Sequence, residues 1–81
     1  MQRHEHGDST LERLLDRARE LLGSADDALL ADANTAVNQA LQLHPESIDG
    51  WLLKCQVASA TGDDLAARAA VEMALRRAPH R

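Results

Sequence analysis

The sequence predicts an all-α fold of four helices, and three observations carry that prediction. Apolar residues recur at helical spacing in four separate stretches. No stretch shows the alternation of a half-buried strand. Two of the stretches also close alike: NQALQLHP ends at Pro45 and EMALRRAP at Pro79, 34 residues apart, with Ala40-Leu41 falling on Ala74-Leu75.

Residues 1–8 are polar, contain Gly7, and are expected to form a flexible tail before a helical domain over 9–81. Ser9-Thr10-Leu11-Glu12 reads as a capping box that starts the first helix. Leu11, Leu14, Leu15, Ala18, Leu21 and Leu22 then mark one face, and Glu12, Arg13, Asp16, Arg17 and Glu20 the other. Gly23 suits a helix stop. Ser24 is expected to cap the second helix, with Asp26 and Asp27 in a first turn where the helix dipole favours negative charge. Ala28 or Leu29, Ala33, Val37, Ala40 and Leu41 form its stripe, and His44-Pro45 stops it, because a residue before proline avoids the helical region. Ser47 starts a third helix whose expected buried stripe is Ile48, Trp51, Leu52, Cys55 and Ala58. Gly62 ends it. Asp63 caps the fourth, with Ala67, Ala70, Val71, Ala74 and Ala78 as its stripe up to Pro79. Two hairpins result, about 9–45 and about 47–79.

A chain of 81 residues makes one domain near the lower limit for a self-sufficient core. Its apolar residues are mostly Ala and Leu, and Trp51 is the only aromatic, so the core should be thin. Net charge is −4, which disfavours nucleic acid and anionic membrane as partners. The charge is uneven. Between Ser24 and Gly50 lie Asp26, Asp27, Asp32, Glu46 and Asp49 with no Lys or Arg, whereas Lys54, Arg68, Arg76, Arg77 and Arg81 outnumber Asp63, Asp64 and Glu72 beyond it. No apolar run approaches the roughly 18 residues of a membrane span, and MQRHEHGDS lacks the apolar segment of a signal peptide. A single cysteine, Cys55, cannot staple the fold. A soluble, cytoplasmic protein is expected, and the excess of Arg over Lys with abundant Ala points to a GC-rich bacterial genome.

Self-similarity at this period marks stacked helical hairpins. In the second unit the large Trp51 opens the first helix and the small Cys55 sits one turn on. Gly62 marks the turn, Ala67 packs where the helices cross, Val71 and Ala74 follow, and Pro79 closes the unit. This order and spacing resembles the tetratricopeptide repeat. Lys54 stands where that family usually has leucine, and Ala58 where it usually has an aromatic. The end of the first unit aligns at a shift of 34, Ala33, Val37, Ala40 and Pro45 falling on Ala67, Val71, Ala74 and Pro79. Its beginning aligns at 37, Leu11, Leu14, Leu15, Ala18 and Leu21 falling on Ile48, Trp51, Leu52, Cys55 and Ala58. The difference implies about three extra residues in the first hairpin, in a longer second helix or a wider turn.

The resemblance implies a right-handed stack of two antiparallel hairpins that binds protein or peptide without catalysis. The concave groove it implies is lined by Leu15, Arg19, Leu22, Asp49, Leu52, Gln56 and Ser59, whose apolar members suit an amphipathic helix or an extended hydrophobic segment; the alternative is that Leu15, Leu22 and Leu52 simply pack into the small core. Leu65, Ala66, Ala69 and Met73 lie on the side of the last helix away from its stripe, where a third hairpin would lie. They are the residues expected to carry self-association into a homo-oligomer. Alternative roles are a small bacterial chaperone shielding a hydrophobic helix of a secretion or pilus component, and a regulatory subunit of an enzyme complex.

Catalytic chemistry finds little to stand on. His4, His6, His44 and His80 are scattered, and with one cysteine they make no metal site. Cys55 lies on an apolar stripe without a base nearby in sequence, the setting of a core residue and not of a nucleophile. Gly23, Gly50 and Gly62 are isolated and form no phosphate loop. No cofactor is expected.

Overall fold

The computed structural model describes residues 6–24 and 26–78, with side-chain surroundings from Thr10 onward. Over these residues the chain forms four helices and no strand: α1 (His6–Leu22), α2 (Asp27–Leu43), α3 (Ile48–Ala60) and α4 (Asp64–Arg77). Helix α1 begins at His6, inside the expected tail and upstream of the expected cap Ser9, which therefore has helical backbone. The expected stop at Pro79, His4, His80 and residues 1–5 lie outside the described residues.

Local chemistry fixes the other ends. Asp26, not Ser24, caps α2: its carboxylate accepts from the Ala28 N–H at 2.8 Å, while the Ser24 hydroxyl accepts from the N–H of Asp26 itself. A charged carboxylate is the stronger acceptor at a helix N-terminus, and Ser24 is left to order the turn. Ser47 caps α3 through the Gly50 N–H, and Asp63 caps α4 through the Ala66 N–H. Helix α2 ends at Leu43, just before His44-Pro45. At the end of α3 the Gly62 N–H donates to the Ser59 carbonyl and the Asp63 N–H to the Ala58 carbonyl. That double bond pattern is the Schellman motif, and Gly62 sits in it at φ 81°.

The extra residues of the first hairpin lie in its second helix, since α2 has 17 residues and α4 has 14. Helix α1 packs on α2, α3 on α4, and α3 also on α2 and α1; α4 packs on α3 alone. Helices α2 and α3 run in opposite directions. A Cβ built on Gly50 would come within 2.8 Å of a Leu41 methyl, and the Lys54 ammonium donates to the Asn34 amide oxygen at 2.7 Å further along. The molecule measures 42 × 33 × 18 Å, and its least dimension is that of two helix layers.

The core is as thin as the composition implies: its largest fully buried side chains are Val37 and Val57. Leu15, Ala18, Ala33, Ala36, Val37, Ala40, Leu53 and Val57 form it, with Leu11, Leu14, Leu21 and Leu22 packed at its edge. The α1 stripe is therefore the expected one. In α2 the inward residues include Leu30 and Ala36, whereas Ala28 and Leu29 are exposed. In α3 the inward face is Gly50, Leu53, Val57 and Ala58. Ile48 and Leu52, expected inside, are exposed, and Trp51 and Cys55 are half-buried. Helix α3 touches all three other helices, so apolar residues surround it and periodicity cannot pick out one face. In α4, Ala67, Ala70 and Ala74 are buried, but Val71 of the expected stripe is exposed.

Candidate functional site

The two hairpins can be compared position by position, and the comparison locates an uncovered surface. In the first hairpin Leu15 and Ala18 of α1 and Val37 of α2 are sealed in one cluster with Leu53 and Val57 of α3, and Leu41 lies against Gly50. Helix α3 is thus the cover of the first hairpin. In the second hairpin the matching positions are Leu52 and Cys55 of α3, at the shift of 37, and Val71 and Leu75 of α4, at the shift of 34. Among the described residues no helix plays the part of α3 for them. Val37 is 0% exposed and Val71 38%; Leu41 is 8% exposed and Leu75 64%; Leu15 is 4% exposed and Leu52 46%. Cys55 is half-buried where Ala18 is fully buried.

The opposite end of the molecule is built differently. The α3 residues that do the covering are Gly50, Leu53, Lys54 and Val57, and at the shift of 37 they match Arg13, Asp16, Arg17 and Glu20 of α1. All four of those are exposed and charged. Helix α1 therefore presents a solvated face where α3 presents an adhesive one. One end is closed by charge, the other left apolar.

Most of the residues expected to line a concave groove are elsewhere. Leu15 belongs to the core, and Leu22 is half-buried against it, so neither offers a ligand an apolar floor. Arg19 is exposed and paired with Asp16 at 3.0 Å within its own helix. Asp49, Gln56 and Ser59 are exposed and polar. Of the set, Leu52 alone is both apolar and open, and it belongs to the uncovered flank. Leu15 and Leu22 thus follow the alternative of packing into the core, and without them the remaining groove candidates on α1 and α3, Leu52 aside, are polar.

The residues expected to self-associate divide in two. Leu65 is 80% exposed and Ala69 is exposed, whereas Ala66 and Met73 are half-buried. Their counterparts in α2 are Ala31, Asp32, Thr35 and Gln39, all exposed, so the covering helix of the first hairpin does not reach those positions. The α4 positions that match the covered ones of α2 are instead Val71 and Leu75. Sequence reasoning had the signal, since Val37 and Leu41 align on this pair, but the alignment does not say which aligned residues a neighbour covers.

Beside the seam of α2 and α3 lies an open cleft of about 560 Å³ lined by Asn38, Leu41, Gln42, Pro45, Trp51 and Lys54. The Pro45 carbonyl on its rim accepts twice, from the Trp51 indole N–H at 2.7 Å and from the Arg77 Nε–H at 3.0 Å. Trp51 is thus a half-buried strut between the α2–α3 turn and its own helix, and Arg77 ties the end of α4 to the same point. A second hollow, lined by Leu14, Arg17, Asp32, Thr35, Ala36 and Gln39, lies between α1 and α2. Neither holds a nucleophile with a base. Among the described residues no group of three His, Cys, Asp or Glu side chains is gathered as metal ligands, and no helix is long and apolar enough to cross a membrane.

Comparison of the chain with protein-family models, curated proteins and solved structures finds no match.

Proposed function

We propose that this protein is a non-catalytic protein-interaction module, a two-hairpin stack of tetratricopeptide type that receives a helix on the exposed flank of α3 and α4. One observation carries the reading: four positions sealed in the first hairpin recur in the second with matching or similar side chains, three of them exposed there and the fourth, Cys55, half-buried. The helix pairs that touch, and the antiparallel run of α2 and α3, are compatible with such a stack. The chemistry of the expected guest follows from α3. It is a helix with a small residue where it crosses Leu75, as Gly50 does at Leu41, and apolar residues one and two turns on. Burying the flank removes water from Leu52, Val71 and Leu75 at about 25 cal/mol per Å² of apolar surface.

The test extends the chain with a copy of residues 47–78, joined so that each copied residue follows its original by 34. The copied α3 should then lie on the open flank. The expected result is a melting temperature raised by about 5 °C or more and a marked slowing of Cys55 alkylation. An extended chain with unchanged melting and unchanged Cys55 reactivity would show that the flank does not accept such a helix.

A further inference from the structure

The open flank leads onto the outer face of α4, and the charge pattern of that face names an occupant. Asp64, Arg68, Glu72 and Arg76 follow one another at four-residue spacing, alternating in sign, and all are exposed. None is within ion-pair distance of an opposite charge among the described residues, where the pairs are Arg19–Asp16 and His44–Glu46. Leu65 and Leu75 stand beside them as the two most exposed large apolar side chains. The order is charge-inverted about Ala70. Asp64 and Arg76 lie six residues to either side of it, Leu65 and Leu75 five, and Arg68 and Glu72 two.

We infer that two copies of this chain associate through the outer face of α4, antiparallel, with the twofold axis level with the inward-facing Ala70. Twofold symmetry then sets Arg68 of each copy against Glu72 of the other, Asp64 against Arg76, and Leu65 against Leu75. Every pairing is complementary, and every one is made twice. A parallel pairing in register would instead set each charge against its own kind. Stacking of one copy's open flank on the other copy's far end is excluded by the charged face of Arg13, Asp16, Arg17 and Glu20. Self-association is thereby closed at two copies, with no route to a filament. The inference rests on the reading of the exposed side of α3 and α4 as a docking surface: the seam shares Leu75 with that flank, continues along the outer face of α4, and names a second copy as the partner.

Sedimentation velocity of the full chain across a concentration series tests it. The wild type is expected to pass from monomer to dimer and no further. Arg68→Glu and Glu72→Arg each place like charges together at two points of the seam, and each should weaken the dimer by about tenfold or more. Both sites are exposed, so circular dichroism of each variant at low concentration should match the wild type. An equimolar mixture of the two variants should form the dimer again, because each supplies the charge that the other lacks; the double variant Arg68→Glu/Glu72→Arg should dimerise by itself. A strictly monomeric wild type overturns the inference, as does a dimer indifferent to either reversal or a mixture that does not recover. If the wild type is monomeric while the appended hairpin still protects Cys55, the docking surface stands and its guest is a different chain. If the appended hairpin also fails, both readings fall.

Discussion

Val37 and Val71 stand one repeat apart on corresponding helices, and so do Leu41 and Leu75, yet the first of each pair is sealed and the second meets water. The sequence around them keeps the same apolar frame, TAVNQAL in one hairpin and AAVEMAL in the other. The difference lies outside the helices that carry them. Helix α3 is laid over the first hairpin, and nothing among the described residues is laid over the second. A hairpin in this molecule therefore does not own its core. It supplies half of one, and the neighbour supplies the rest. The uncovered flank of α3 and α4 is the half-core left at one end, and the charged α1 face at the other end shows what a closed end looks like in this molecule.

The largest expected effect separates the two valines. Val37→Asp puts a carboxylate into the cluster of Leu15, Leu53 and Val57, and among the described residues no polar side chain is buried to pair with it. That should cost about 3–5 kcal/mol or more and leave this small domain unfolded by circular dichroism. Val71→Asp places the same charge at a position already in contact with water and should leave the monomer folded, with a loss below about 1 kcal/mol. Comparable losses at the two positions would mean that the second valine has a cover after all.

The two leucines give the same contrast with less violence. Leu41→Ala opens a space beside Gly50 and should cost about 2–4 kcal/mol in urea unfolding. Leu75→Ala removes methyls that are mostly hydrated and should cost under about 0.5 kcal/mol in the monomer. The measurement has to be made at low protein concentration, since the dimer inferred above would raise the apparent cost of the second substitution with concentration.

How much of this was legible in the residues depends on the helix. For α1 the stripe is sharp because one face is charged, and the structure places those leucines inward. For α3 the sequence is apolar nearly all round, with Asp49 and Lys54 its only charges, and the inward face turned out to be Gly50, Leu53 and Val57 in place of Ile48 and Leu52. Nothing local distinguishes those alternatives; contact with three neighbours decides. Lys54 shows the same limit. A lysine among core positions looks like an error until Asn34 is found opposite its ammonium. The caps at Ser47 and Asp63 are where the sequence points, whereas Ser9 lies inside α1 and Ser24 gives way to Asp26 two residues on. The open flank was the least legible feature, since Val71 and Leu75 look like core in any single hairpin and differ from Val37 and Leu41 only in having no neighbour.

The two hairpin turns give a third contrast, milder than the losses expected at Val37 and Leu41, and here again the hairpins differ. Gly62 holds φ 81° with both Schellman bonds made around it. A Cβ there meets no atom within 4 Å, so Gly62→Ala is a test of backbone strain alone. It should cost about 1–2 kcal/mol, the penalty for a side chain in the left-handed region. Gly23 follows α1 in the other turn, but its φ is not positive, and a Cβ there would rest 3.6 Å from the Glu20 carbonyl oxygen, an ordinary contact. Gly23→Ala should therefore stabilise the protein by about 0.4–1 kcal/mol, by narrowing the unfolded ensemble. Paired urea titrations would read the opposite signs directly. Two destabilising alanines would mean that the first turn, four residues long against three, also relies on a left-handed glycine in solution. The 34- and 37-residue registers would then differ in helix length alone and not also in how each turn is made.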